Sequence, residues 1–93
     1  MKSLLFVPGS LRAASSSRAT ARALIARLDG KAETVTADTG VLPHYNADIS
    51  DDPKVDAWIA QVAAADGVVF VTPEYNYSVP GVLKNAIDWA SRP

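Results

Sequence analysis

Two short apolar runs, Leu4-Leu5-Phe6-Val7 and Val68-Val69-Phe70-Val71, constrain this chain more than any other feature. Neither alternates with polar residues. A strand with one wet face alternates, whereas an uninterrupted run suits a strand covered on both faces, as in a parallel sheet flanked by helices. Loop-forming residues close each run, Pro8-Gly9 after the first and Thr72-Pro73 after the second. The segments between them carry helical periodicity.

A helix is predicted to start near Ser16 or Ser17, both good N-caps, with Ala21, Leu24, Ile25 and Leu28 at i, i+3, i+4, i+7 and a stop at Asp29-Gly30. The segment Ala32 to Ala37, with Thr34, Val35 and Thr36, reads as a half-buried strand of edge character. Thr39 to Asp52 is expected to be a long irregular connection. Asp52-Pro53 pairs an N-cap with proline at the first helical position, and Val55, Trp58, Ile59 and Val62 line the helix that follows. Asp66-Gly67 breaks it before the second apolar run. Thr72 to Gly81 is a loop dense in Pro, Asn and Tyr, and a last helix carries Leu83, Ala86, Ile87 and Ala90 on one face. The order βαβαβα predicts an α/β fold with a parallel sheet and right-handed crossovers.

A chain of 93 residues is enough for one domain and not two. Its 48% hydrophobic and 20% charged residues are ordinary for a globular protein. No apolar run approaches the roughly 20 residues of a membrane span. The start, Met1 to Pro8, lacks the long apolar region and small-residue cleavage site of a signal peptide. Cysteine is absent, which excludes disulfides, thiol catalysis and thiolate metal sites and fits a cytoplasmic location. A net charge of −1 argues against bulk nucleic-acid binding. The charge is unevenly spread: residues 1–31 balance to +5 and residues 32–66 to −6. Solvated helix faces explain this; so does a positive N-terminal third that favours an anionic ligand.

In open α/β sheets, ligands bind beyond the carboxyl ends of the strands. Two loops fall there. The first, residues 9–17, joins a buried strand to a helix N-terminus, where free N–H groups and the dipole attract anions. Gly9 permits a tight turn, Ser10, Ser15, Ser16 and Ser17 offer hydroxyls, and Arg12 offers a bidentate charged donor. This suits a phosphate monoester, although an ordinary serine-capped βα loop has the same composition. The glycines of a dinucleotide fingerprint and the Gly-Lys-Ser/Thr of a P-loop are both missing. The second, Thr72-Pro73-Glu74-Tyr75-Asn76-Tyr77-Ser78-Val79-Pro80-Gly81, is a semi-rigid loop with planar side chains and exposed amides. It suits the face and edge of a flat heterocycle, or else packs its tyrosines locally.

Other residues read more plainly. His44 is the only histidine, with no G-x-S-x-G nucleophile elbow and no second histidine or cysteine, and is expected to be a loop histidine. Glu74 reads as a loop-bracing carboxylate rather than a proton relay. Asp51-Asp52 lacks calcium-loop spacing. Asp88 and Trp89 read as helix packing, and the Asn76-Tyr77-Ser78 sequon as incidental.

At these motifs the sequence resembles the NAD(P)H-dependent FMN reductase family, with its quinone, azo-dye and chromate reductase relatives. The matching segments are Gly9-Ser10-Leu11-Arg12-x-x-Ser15-x-Ser17, then Leu42-Pro43-x-Tyr45-Asn46-x-Asp48, Ala65-Asp66-Gly67, and the long block from Thr72 to Trp89. The resemblance implies a flavodoxin-like doubly wound sheet of order 2-1-3-4-5, of which residues 1–93 would form the N-terminal part, three strands in order 2-1-3 with three helices. It implies FMN as cofactor and NAD(P)H as co-substrate. The phosphate would be held at Ser10, Arg12, Ser15 and Ser17, and the flavin ring at Pro73, Glu74, Tyr75 and Asn76, with no catalytic side chain and no metal. The activity implied is an oxidoreductase passing hydride from NAD(P)H through FMN to a quinone, flavin or other small acceptor, without nucleic-acid or membrane partners. The alternative is a truncated chain or an FMN-binding electron-carrier module without its own reductase activity.

Family domains are longer than this chain. The second apolar strand, interior in the full order, would here become an open edge. The face shared by the first helix and a missing final helix would leave valine, leucine and phenylalanine uncovered. Self-association to a homo-oligomer, a swapped assembly, or a place within a longer protein is therefore expected.

Overall fold

The computed structural model describes residues 1–9, 16–73 and 78–91. Along the chain run β1 (Ser3–Pro8), α1 (Ser16–Arg27), β2 (Glu33–Thr36), α2 (Pro53–Ala64), β3 (Gly67–Val71) and α3 (Gly81–Ala90). The strands form one parallel sheet of order β2-β1-β3, with Leu5 opposite both Val35 and Val68. The α/β class, the parallel strands and the three helices expected from the sequence pattern are present, and so is the strand order 2-1-3 that the resemblance implies.

β1 is the central strand and is covered on both faces. Leu5 and Val7 point to one face, where they join Val55 and Trp58 of α2 and Leu83, Ala86 and Trp89 of α3 in the main core. Phe6 points to the other face, where α1 packs on β1 and β3, and is only 1% exposed. Pro8 is tolerated in this central strand because β2 stops pairing at Phe6–Thr36, so no donor is needed on that side. β2 is an edge strand, as expected, but is more exposed than the half-buried strand expected: only Thr34 is partly covered, and Val35 is 45% exposed.

The termini follow local chemistry. The Asp52 carboxylate accepts the N–H groups of Lys54 and Val55, with Pro53 at the first helical position of α2. After α1 the backbone turns at Gly30, φ 75°, which allows Lys31 and Ala32 N–H both to donate to Leu28 C=O.

Three features differ from expectation. Within the irregular connection, Thr39–Val41 forms a 3-10 turn capped by Asp38, whose carboxylate accepts Gly40 N–H. Asp66 does more than break a helix. Its N–H donates to Ser3 C=O at 2.8 Å and its carboxylate accepts Ser3 N–H at 2.7 Å, which pins the start of β3 to the start of β1. The exposed apolar surface also lies elsewhere than expected. Phe6 is covered under α1, while Leu24 on α1 is 40% exposed and Phe70 at the β3 edge is 48% exposed. Phe70 pairs with Val7 and so shares the face of α2 and α3. There it lines an apolar groove of about 270 Å³ with Trp58, Val62, Val68, Ile87 and Ala90.

Candidate functional site

The two candidate loops leave the sheet side by side. Gly9 N–H donates to Val71 C=O at 2.8 Å, so the last residue before the first loop is fastened to the last residue of β3. A Cβ at Gly9 would lie 2.5 Å from Thr72 Cβ, closer than any side chain tolerates. Glycine is therefore required here by the Thr72 side chain, with the Thr72 Cα also only 3.1 Å away. Pro8 in β1 and Val71 in β3 are register partners, so both loops rise from the carboxyl ends of adjacent strands.

Two helix N-termini follow the loops. α1 begins at Ser16, and Ser17, its second residue, is 8% exposed. α3 begins at Gly81 after Pro80, with no side-chain capping bond. Its first N–H groups and those of α1 are the dipole-positive ends of their helices. Pro73 is half-buried, and its C=O accepts the Thr72 hydroxyl at 2.8 Å. Of the residues predicted to form the site, Ser17 and Pro73 are thus placed at the carboxyl edge of the sheet. Ser10, Arg12, Ser15, Glu74, Tyr75 and Asn76 lie outside the described residues.

A group of residues not predicted for the site braces it. Asn85 of α3 accepts Tyr45 N–H at 2.7 Å through Oδ1 and donates through Nδ2 to Pro43 C=O at 2.9 Å. Trp89 Nε1–H donates to the same Pro43 carbonyl at 2.8 Å, and the Tyr45 ring meets the Trp89 ring edge-on at 4.8 Å. The connection after β2 is thereby fixed to α3, whose N-terminus closes the second loop. Between them lies a pocket of about 380 Å³ lined by Thr39, Gly40, Leu42, His44, Gly81, Val82 and Asn85. His44 is an exposed loop residue. The sequence signal for the brace is that its partners fall in two of the matching segments, Asn85 and Trp89 in the Thr72–Trp89 block and Pro43 and Tyr45 in the one from Leu42 to Asp48. Among the described residues no cluster of His, Cys, Asp or Glu is placed to hold a metal ion, and no helix is long and apolar enough to cross a membrane.

The donor set suits an anion bound by hydrogen bonds. By residue type alone, Ser10, Arg12 and Ser15, which precede α1 in the sequence, and Ser17 at its second position carry hydroxyl and guanidinium groups. That is the chemistry a phosphate monoester requires.

Comparison with known proteins identifies the family. The family model described as NADPH-dependent FMN reductase matches residues 1–93. An NAD(P)H-dependent FMN reductase of Pseudomonas aeruginosa is 44% identical over 93 residues, covering 97% of this chain and 50% of that protein. A 2-hydroxy-1,4-benzoquinone reductase of a Burkholderia species is 51% identical over 89 residues, covering 94% of this chain and 49% of that protein. The solved structure of FerB, a flavoenzyme NAD(P)H:(acceptor) oxidoreductase from Paracoccus denitrificans, superposes with a TM-score of 0.94 at 38% identity, over 100% of this chain and 52% of FerB. The chain spans about half the length of the curated relatives it matches.

Proposed function

The chain belongs to the NADPH-dependent FMN reductase family, and from that premise we propose that residues 1–93 form the FMN-holding part of an NAD(P)H-dependent oxidoreductase. The observation that carries this reading is the bond between Gly9 N–H and Val71 C=O, which roots a phosphate-type loop and a ring-type loop next to each other. FMN, held there, would supply the redox chemistry that links NAD(P)H to a quinone, another flavin or a similar small acceptor. The acceptor class follows the quinone reductases among the relatives.

In this reading the protein positions and stabilises charge. Ser10, Arg12, Ser15 and Ser17 hold the phosphate with the α1 N-terminus. Pro73, Glu74, Tyr75 and Asn76 hold the ring, with backbone N–H groups facing developing negative charge. No side chain is asked to act as acid or base. A cytoplasmic location goes with this reading, because NAD(P)H is an intracellular reductant.

The coverage of half of each relative favours a second reading, an FMN-binding module without its own reductase activity. The test is an FMN titration of the 93-residue chain followed by flavin fluorescence, then anaerobic addition of NADPH. One-to-one quenching followed by NADPH-dependent bleaching supports the reductase. Quenching without bleaching supports the module. Absence of binding overturns both.

A further inference from the structure

The pocket of about 380 Å³ between the connection after β2 and the start of α3 contains none of the residues assigned to FMN. It is built on the stripe of α3 that faces this connection, where Asn85 and Trp89 bond to Pro43 C=O, and not on the outer edge of β3.

Two independent features of its lining call for a ligand. The first is Thr39. This residue is only 3% exposed, and its hydroxyl has no hydrogen-bond partner among the described residues. A buried hydroxyl without a partner is costly. Among the described residues no side-chain oxygen is both unpaired and sealed off, so the remaining exposure of Thr39 is to the pocket it lines. The second is the N-terminus of α3, a ten-residue helix without a side-chain cap. Leu83 and Lys84 N–H both donate to Pro80 C=O, whereas Gly81 and Val82 N–H have no partner among the described residues. They lie at the dipole-positive end of the helix. A Cβ built at Gly81 would meet nothing within 4 Å, so the space beside it is open.

We propose that this pocket binds a small organic carboxylate, its oxygens on the Thr39 hydroxyl and the Gly81 and Val82 N–H groups and its carbon body against Leu42 and Val82. The remaining groups select this class. Both ends of the Asn85 amide are engaged, Oδ1 by Tyr45 N–H and Nδ2 by Pro43 C=O. The carboxylate of Asp38, next to Thr39 in sequence, is engaged by Gly40 N–H. No lining side chain is acidic. What is left is a set of donors, which an anion satisfies. Leu42 and Val82 make part of the wall apolar, which suits carbon atoms better than the hydration shell of inorganic phosphate. The volume is at the lower end of the roughly 300–1,000 Å³ of small-molecule pockets, which fits a single ring or a short chain.

The test is a titration of the isotope-labelled chain with benzoate, with and without FMN, followed through its amide resonances. Saturable shifts at Gly81 and Val82 N–H are expected in both cases. Benzamide, the same ring without the charge, and inorganic phosphate are expected to bind much more weakly. Thr39→Val keeps the shape without the hydroxyl. It is expected to weaken benzoate binding by about tenfold or more, the usual loss for a hydrogen bond to a charged group, and Thr39→Ser to retain it. Gly81→Pro removes one N–H at the first helical position, where proline is tolerated, and Pro80 at ψ 154° already has the conformation that precedes a proline. This variant is also expected to weaken binding. No saturable shift at Gly81 and Val82 overturns the proposal. So do shifts confined to Ser17 and the start of α1, displacement of benzoate by FMN, or equal binding of benzamide or phosphate. Folded Thr39→Val and Gly81→Pro variants that both bind as tightly as the unmodified chain overturn it as well.

Discussion

Asn85 and Tyr45, forty residues apart, are joined by a 2.7 Å bond from Tyr45 N–H to Asn85 Oδ1. With the second Asn85 bond to Pro43 C=O, one side chain satisfies a donor and an acceptor of a connection that has little regular structure of its own. Asn85→Ala removes both and is expected to destabilise by about 1–3 kcal/mol. That amounts to roughly 4–8 °C of melting temperature per kcal/mol for a domain of this size. Asn85→Asp keeps the acceptor but sets a carboxylate against the Pro43 carbonyl, and is expected to recover little. Thermal melts of the two variants check this.

The Gly9–Thr72 approach gives a sharper test. Gly9→Ala sets a methyl carbon 2.5 Å from Thr72 Cβ, so the roots of the two loops must move apart. The expected cost is about 1–3 kcal/mol, typical of overpacking. Thr72→Gly removes the two closest atoms and leaves the Cα at 3.1 Å. The double variant is expected to be more stable than the two single losses sum to, with a coupling of at least about 1 kcal/mol in a double-mutant cycle. Strict additivity in urea melts would show that the loops are not in contact at their roots.

What was legible in the sequence was what local chemistry decides. The runs at Leu4 and Val68 announced the strands of a parallel sheet, covered on both faces at β1 but only partly at β3, where Phe70 is 48% exposed, and Asp52-Pro53 marked the start of α2 to the residue. The 3-10 turn at Thr39–Val41 was missed because it rests on one side-chain cap from Asp38, too short a signal for periodicity. The brace of Asn85 and Trp89 on Pro43 was missed because its partners lie 42 and 46 residues away. Leu24 fitted the apolar stripe of α1, yet it is 40% exposed. Gly9 was read as a turn residue. That it also faces Thr72 follows only from the parallel register of β1 and β3.

Trp58 shows how a polar handle is used inside the core. Its ring is buried and its Nε1–H donates to Ala86 C=O at 2.9 Å, tying α2 to α3. Trp58→Phe keeps an aromatic ring but loses the bond and part of the volume. The expected loss is about 1–3 kcal/mol from the two effects together. Near-ultraviolet circular dichroism is expected to retain the Trp89 signal, since Trp89 has its own partner at Pro43. Collapse of both signals would mean that α2 and α3 do not dock independently of this contact.

The N-cap of α2 is expected to behave as a local feature. Asp52 accepts from Lys54 and Val55 N–H, and its charge lies at the positive end of the helix. Asp52→Ala should cost about 0.5–2 kcal/mol, and Asp52→Asn or Asp52→Ser only a fraction of that. The comparison separates the hydrogen bond from the charge, because asparagine keeps an acceptor oxygen and loses the charge. Chemical denaturation at low and high salt reads the two contributions.

The phosphate assignment at Arg12 is tested by changing ligand as well as protein. A guanidinium bonded to a phosphate contributes about 1.5–3 kcal/mol, so Arg12→Ala should weaken FMN binding by about tenfold or more. Riboflavin has the same ring and ribityl chain without the phosphate. Its affinity should start lower and should not respond to Arg12→Ala. Ser17→Ala, at the second residue of α1, should follow the same pattern with a smaller loss. Equal losses for FMN and riboflavin would mean that Arg12 supports the fold of the loop rather than the phosphate. No loss for either would move the anion site away from the first loop.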